Sequence, residues 1–134
     1  MYTALVRWVS EQKFLAMSPS GHALAVDSDR ESNTAPGPME LLLMALGACT
    51  ATDVVSVLAK QRVALTSLEV RARGTRRDEH PRRYTALHFE FVIVGAGATE
   101  EKVRRAIDLS LGKYCSVVAS LAPDIAVGYE LVPR

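Results

Sequence analysis

The sequence has almost no surplus of either charge. Its 16 lysines and arginines stand against 15 aspartates and glutamates, which leaves a formal net charge of +1. Proteins that bind nucleic acids or anionic membranes through their overall charge usually carry a strong basic excess. We therefore expect neither a nucleic-acid partner nor a membrane partner.

The sequence is also poor in cysteine, with only Cys49 and Cys115, 66 positions apart. Two cysteines do not make a disulfide framework, and the sequence contains no CxxC and no Cys/His spacing typical of a metal site. The histidines, His22, His80 and His88, share no ligand spacing either. We expect no metal and no cofactor, so the cysteines would act, if at all, as thiols.

An export signal is missing as well. The N-terminal segment MYTALVRWVSEQK has no basic region followed by an apolar run and a small-residue cleavage site. A long apolar segment farther on is interrupted by Glu40 and Asp53, which argues against a membrane span. A length of 134 residues, 49% hydrophobic and 23% charged, suits one globular domain. We expect a single cytoplasmic domain, residues 1–134.

Proline is absent between Pro38 and Pro81, and the segment after Pro38 is almost entirely apolar or small. Proline is well tolerated in the first turn of a helix, and Lys60 and Arg62 are cations suited to a helix C-terminus. The pattern predicts a helix from Pro38 to about Lys60. Because its apolar residues fall on nearly every side, we expect it to be buried all round.

Segments before and after this helix, in which apolar and polar residues alternate, predict strands. Three short strands precede it and two long strands follow it, joined by a charged hairpin tip: 2–9, 13–17, 22–26, 64–75, 84–94 and the tip 76–83. Thr99 is the expected N-cap of a second helix, which Gly112 should break. A short helix at 114–122 and a strand at 125–132 complete an α+β order.

Cys49 and Cys115 are the strongest candidates for chemistry, although a buried free cysteine usually acts as a small hydrophobic residue. Cys49 lies among the small residues of segment 47–51, so another element can approach its sulfur closely. Cys115 lies at the predicted N-terminus of a short helix, where backbone N–H groups lower a thiol pKa. Two thiols on two helices can meet in a core.

Three further side chains are candidates for a supporting role. Asp53 lies one turn beyond Cys49 on the same stripe of the helix. It is either a polar group of the thiol pocket, able to hold an arginine of a partner chain, or a buried structural carboxylate, which is the commoner case. Glu40 suits the positive end of the helix dipole better than the role of a base. Ser116 is expected to cap or line the pocket.

Three segments carry a family resemblance: GPMELL at 37–42, ALGAC at 45–49 and KYCSV at 113–117. They resemble the two cysteine motifs of the OsmC/Ohr family, the osmotically induced and organic-hydroperoxide-resistance proteins. The motif spacing, the long hairpin and the strand order are similar too. The resemblance implies antiparallel sheets wrapped around the long central helices of an intertwined homodimer, in which each active site draws on both chains.

The resemblance also implies a function, the thiol-dependent reduction of organic hydroperoxides by a peroxiredoxin-like oxidoreductase. In that reaction Cys49 would attack the peroxide and become a sulfenic acid, and Cys115 would condense with it to a disulfide. An external dithiol would then restore both thiols. Such an enzyme would serve in oxidative-stress defence.

The sequence departs from the peroxidase members at one position. In the peroxidase members that this chain resembles, a Glu stands directly after the motif's Pro. This chain has Met39 at that position. Its Glu40 is one residue farther along the helix and therefore points about 100 degrees away from the position of that Glu. Their activating Arg is not identifiable, because Arg7 lies in a predicted strand and Arg30 in a later loop. The pattern looks closer to the YhfA-like branch. Because of this departure, two alternatives to a peroxidase stay open. The first is a non-enzymatic binding or stress protein with inert thiols and an apolar pocket, and the second is a redox sensor.

Overall fold

The chain is built from two units, Met1–Leu42 and Leu43–Arg134, in a computed structural model that describes residues 1–133. Helix α1 (Pro38–Lys60) begins in the first unit and continues into the second, with the bounds predicted from the sequence. The expectation of a single domain over residues 1–134 stays a prediction.

The first unit contains a three-stranded antiparallel meander, as predicted. Its strands pair in sequence order, β1 (Leu5–Ser10), β2 (Lys13–Met17) and β3 (Ala23–Asp27). β1 begins later than predicted because its pairing starts where Leu5 faces Met17, the last residue of β2. Beyond that point residues 2–4 have no neighbouring strand residue to satisfy their backbone groups.

A buried carboxylate organises the loop between β3 and α1. Asp27 accepts hydrogen bonds from the hydroxyl groups of Ser32 and Thr34, both at 2.6 Å, and from the N–H groups of Asp29 and Thr34. These donors favour the charged carboxylate and hold the pKa of Asp27 well below its ordinary range. They fix the path of a polar, turn-rich segment that leads into the helix.

A long hairpin and one further strand form the sheet of the second unit. β4 (Ala64–Arg76) pairs antiparallel with β5 (Tyr84–Ala96), and β6 (Ala126–Leu131) pairs with the other side of β5. The predicted strands agree with these bounds to within two residues. β6 is parallel to β5, which corrects the expectation of purely antiparallel sheets. The chain returns through helices between these two strands, and such a crossover makes parallel pairing possible.

The first helix of this crossover, α2 (Glu100–Leu109), is amphipathic as predicted. The hydroxyl of Thr99 accepts a hydrogen bond from the N–H of Lys102 at 3.3 Å, so Thr99 is the N-cap. The buried residues of α2 lie on one side of the helix: Val103, Ala106 and Ile107.

The end of α2 differs from the prediction at Gly112. The helical path does not break there but widens into a π turn (Ser110–Tyr114) that runs through the glycine. α3 (Ser116–Ala119) follows and is shorter than the predicted helix 114–122. A π turn keeps the backbone hydrogen-bonded over five residues, so the chain changes direction without an unpaired segment.

α1 buries one stripe of residues and exposes another. The stripe with 0% exposure consists of Leu46, Thr50, Val54 and Leu58. On the other side, Met44 is 56% exposed and Val55 is 44% exposed. The expectation of burial on every side is therefore wrong for the single chain, whose own sheet covers one side of the helix.

By length and composition, α1 is also sufficient to cross a membrane, and it is the one such helix among residues 1–133. Glu40 and Asp53 do not disqualify it, contrary to the prediction. The core helix of a water-soluble protein passes the same test, so this property alone does not indicate a membrane protein.

Candidate functional site

Cys115 lies directly after the π turn and caps α3. Its N–H donates to the carbonyl oxygen of Ser110 at 2.8 Å, five residues back, and closes the turn. Its Sγ accepts a hydrogen bond from the N–H of Val118 at 3.4 Å. The residue is only 3% exposed. Single π turns next to α-helices are frequent at functional sites, which makes this thiol a candidate on local geometry alone.

The fold brings Cys49 of α1 close to Cys115. Their two sulfur atoms and a carboxylate oxygen of Asp53 lie within 4.8 Å of one another, and both cysteines are free. Both sulfurs come from the same chain. Cys49 is half-buried, whereas Cys115 is buried, so solvent reaches the pair from the side of Cys49.

Asp53 is half-buried and lies in the thiol pocket. Its carboxylate belongs to the thiol cluster, because Asp53 follows Cys49 by one helical turn. Its Oδ2 also accepts a hydrogen bond from the hydroxyl of Ser110 at 2.8 Å, which links α1 to the π turn. The same carboxylate therefore faces the sulfurs and holds two elements of the second unit together.

Sequence reasoning missed Ser110. It is 0% exposed, and both its hydroxyl and its carbonyl are used, the first by Asp53 and the second by Cys115. No sequence motif marks a serine at the end of an amphipathic helix, so Ser110 could not be recognised from the sequence.

Thr50, the residue after Cys49, is also 0% exposed. Its hydroxyl donates to the carbonyl of Leu46 at 2.9 Å and lies 4.0 Å from the sulfur of Cys115. Its position next to Cys49 in the sequence was the available signal.

Burial raises the pKa of the Cys115 thiol, and the neighbouring Cys49 raises it further. The hydrogen bond from the N–H of Val118 lowers the pKa, but by less than burial raises it. This corrects the expectation that a helix N-terminus lowers the pKa of Cys115. α3 has only four residues, so its dipole is small, and the cost of charging a buried sulfur dominates.

Glu40 and Ser116 make local contacts. The Oε1 of Glu40 accepts a hydrogen bond from the N–H of Gly37 at 3.0 Å, which is one half of a capping box at the start of α1. This contact matches the interpretation of Glu40 as a residue of the first helical turn. Ser116 is exposed, and its carbonyl oxygen accepts from the hydroxyl of Ser120 at 2.8 Å.

The fold and the paired thiols agree with the comparison to known proteins. Residues 31–130 match the family model described as OsmC-like protein. The chain belongs to the OsmC family. It is 43% identical over 131 residues to protein YhfA of Escherichia coli strain K12, which covers 96% of this chain and 97% of YhfA. The family resemblance carried by the two cysteine motifs is thereby confirmed.

Similar solved structures confirm the α+β, OsmC-like fold. A hypothetical protein from Aquifex aeolicus VF5 is 29% identical, with a TM-score of 0.85 over 100% of this chain and 98% of that one. The organic hydroperoxide resistance protein OhrB of Bacillus subtilis is 14% identical, with a TM-score of 0.69 over 98% of each chain, and shares the fold alone.

The second unit of this OsmC-family chain also contains a cluster that the sequence did not predict. Ligand atoms of His88, Glu90 and Glu130 lie within 4.8 Å of one another, although the histidines share no ligand spacing. The pairing of β5 with β6 creates the cluster, and the sequence does not specify that register. Glu90 already pairs with Arg73 at 3.0 Å and with Arg71 at 3.6 Å, so its charge is compensated.

An apolar groove runs between α1 and β4. It encloses about 440 Å³ and is lined by small and aliphatic side chains: Leu43, Met44, Gly47, Ala48, Ala51, Leu68, Val70 and Ala72. Three of these residues flank Cys49 in the sequence. Cys49 itself is not among the lining residues, because its side chain is rotated by about 100 degrees from that of Ala48 around the helix axis.

Proposed function

We propose that this OsmC-family protein is a thiol-dependent peroxidase that reduces organic hydroperoxides in oxidative-stress defence. One observation supports the proposal most strongly: two free thiols, far apart in the sequence, lie within 4.8 Å of one another. A second support is that the fold is shared with a protein of Bacillus subtilis named for resistance to organic hydroperoxides.

In the proposed reaction, the thiolate of Cys49 attacks an oxygen of the peroxide bond. The O–O bond breaks, the alkoxide takes up a proton and leaves as an alcohol, and Cys49 becomes a sulfenic acid. The sulfur of Cys115 then attacks the sulfenic sulfur, which forms the disulfide and releases water. An external dithiol reduces the disulfide by exchange and regenerates both thiols.

The two cysteines are suited to different steps of this reaction. Cys49 is the more accessible of the two thiols, so an organic hydroperoxide reaches it first. Cys115 is buried and its pKa is raised, so it is mostly protonated at neutral pH. A protonated, protected thiol is suited to the resolving step, because it does not compete for the peroxide.

We also propose that the protein works as a homodimer in the cytoplasm. One stripe of exposed residues on α1 has spacings of three and four and consists mostly of small residues: Ala45, Ala48, Thr52, Val55 and Ala59. Met44 and Ser56 are exposed beside this stripe. This is the spacing of helices that pack closely along a shared seam. A second copy of α1 would cover the stripe, and Val55→Glu should convert the dimer to a monomer in sedimentation experiments.

The enzyme assay is direct. Purified, reduced protein should consume cumene hydroperoxide repeatedly when dithiothreitol or dihydrolipoamide is supplied. Cys49→Ser should abolish consumption, and Ser116→Ala, an exposed neighbour of Cys115, should leave it unchanged. Failure to consume either cumene or tert-butyl hydroperoxide with both dithiols would contradict the proposed activity.

The apolar groove supports a second candidate function, the non-enzymatic binding of an apolar ligand. In that case a long-chain fatty acid should bind with the same affinity to wild type and to Cys49→Ser, and Leu68→Glu should abolish the binding. A redox sensor differs from both functions, because one equivalent of peroxide should form the disulfide without sustained turnover.

A further inference from the structure

We propose that the reduced cluster of Cys49, Asp53 and Cys115 is also a binding site for a thiophilic divalent ion, with Zn²⁺ as the expected occupant. Its donor atoms, two sulfurs and one carboxylate oxygen, lie within 4.8 Å of one another. In a tetrahedral zinc site with Zn–S bonds of about 2.3 Å, the sulfurs are about 3.8 Å apart. Shifts on the order of 1 Å in side-chain position would close the site.

The donor set selects the metal. Thiolate sulfur binds zinc strongly, and two thiolates with one carboxylate give three of the four ligands of a tetrahedral ion. The fourth position would remain for water or an exogenous ligand, since Cys49 is half-buried and reachable from solvent. Calcium and magnesium prefer sites made of oxygen atoms alone and do not fit.

The backbone already arranges these donors as a metal site requires. Cys49 and Asp53 are four residues apart on α1 and so project from the same face of the helix, a spacing used by helical metal sites. The third donor, Cys115, comes from the N-cap of α3, directly after the π turn. Two ligands on a rigid helix and one on a separate element define the site without a long mobile loop.

Hydrogen bonds around the cluster orient its donors. The hydroxyl of Ser110 donates to Oδ2 of Asp53 at 2.8 Å, and the N–H of Val118 donates to the sulfur of Cys115 at 3.4 Å. Contacts of this kind fix ligand direction in metal sites, and their loss lowers metal affinity about 10- to 100-fold. Donors also compensate the charge of the thiolate and carboxylate ligands.

The other candidate cluster is less suited to a cation. In the group of His88, Glu90 and Glu130, the middle carboxylate pairs with Arg71 and Arg73, whose charges repel a metal ion. The thiol cluster is therefore the better metal site of the two.

Binding and oxidation exclude each other at this site. When Zn²⁺ enters, each S–H releases its proton to solvent and each sulfur forms an S–Zn bond, so no electrons are transferred. When an azo oxidant such as diamide takes up the two thiol hydrogens and becomes a hydrazine, the sulfurs form a disulfide and no longer bind the ion. Metal binding itself does not depend on the proposed peroxidase activity.

Cobalt provides the test, because Co²⁺ in a tetrahedral thiolate site has visible ligand-field bands and a sulfur-to-metal charge-transfer band. Reduced wild type, freed of metal by a chelator and kept anaerobic, should bind one Co²⁺ per chain with both signals, and Zn²⁺ should displace it. Cys49→Ala and Cys115→Ala should lose the charge-transfer intensity of one sulfur each. Asp53→Asn should bind at least about tenfold more weakly.

Two controls separate loss of a ligand from loss of the fold. Wild type locked as the disulfide has an unchanged sequence and should bind no cobalt, and Asp124→Asn, an exposed aspartate that pairs with Arg83, should bind as wild type does. Reduced wild type without the charge-transfer band, or a band that keeps its full intensity in both cysteine variants, would overturn the metal site. Peroxide consumption in excess chelator reports separately on the proposed enzyme, so either proposal can fail without the other.

Discussion

The two thiols of this OsmC-family chain sit in contrasting regions. Cys49 is in the middle of a 23-residue helix and is half-buried among small residues. Cys115 follows an irregular π turn, is 3% exposed, and receives a hydrogen bond from Val118. The long helix supplies a rigid, accessible sulfur and the irregular segment a protected one. We infer that the difference divides the work between an attacking and a resolving thiol.

The largest effect is expected when the two cysteines are replaced in turn. Cys49→Ser should lower steady-state peroxide consumption by at least about 1000-fold, because the remaining thiol, Cys115, is buried. Cys115→Ser should still consume one equivalent of peroxide and stop at a sulfenic acid, which dimedone traps. The measurement is a peroxide assay combined with mass spectrometry. Equal behaviour of the two variants would contradict the division of roles.

The hydrogen bond from Ser110 to Asp53, which links the π turn to α1, should stabilise the folded protein. Ser110→Ala removes the hydroxyl that donates to Asp53 and leaves a partly buried carboxylate without that donor, which should cost about 1–3 kcal/mol in the free energy of unfolding. Urea denaturation measures this cost. The matched control is Ser120→Ala, which removes an exposed serine-to-carbonyl bond to Ser116 and should cost less than about 0.5 kcal/mol. Equal costs for the two variants would argue against the link.

Alkylation should distinguish the two thiols directly. In chelator-treated, reduced protein, iodoacetamide should modify Cys49 at least about tenfold faster than Cys115, because the buried thiol has a raised pKa and little exposure. Peptide mass spectrometry over a time course gives both rates. In urea the two rates should converge, and faster labelling of Cys115 in the folded protein would reverse the assignment.

The smallest effect concerns pH. The pKa of Cys115 is raised in the folded protein above the unfolded value of roughly 8.5, so its contribution to stability is complete at lower pH. That contribution declines as pH rises through the unfolded pKa toward the folded one. The free energy of unfolding should therefore fall more steeply in wild type than in Cys115→Ala above about pH 8.5. Parallel curves would show that burial does not perturb this thiol.

The sequence predicted most of the fold because its signals are local. Alternation placed β4 and β5, the N-cap pattern placed Thr99, and the proline-free apolar run placed α1 with its correct bounds. The cysteine motifs led to the correct family, and their proximity followed from it. Periodicity and capping act within a few residues, so a single sequence is enough to recognise them.

The remaining features depend on contacts that a sequence pattern does not encode. The π turn replaced a predicted break at Gly112, and Ser110 gained a role only because that turn faces Asp53. The pKa of Cys115 depends on how deeply the fold buries it, which outweighed the helix N-terminus used for the prediction. The hydrophobicity pattern along α1 also does not show which stripe of the helix the fold buries.

The proposed reaction requires the sulfurs of Cys49 and Cys115 of one chain to react with each other. A mixture of ¹⁵N-labelled and unlabelled protein, exchanged to equilibrium, should be treated with one equivalent of cumene hydroperoxide and mapped by non-reducing peptide mass spectrometry. We predict Cys49–Cys115 disulfides only within fully labelled or fully unlabelled chains. Disulfides that join a labelled to an unlabelled chain, or cysteines that oxidise without joining, would contradict the account.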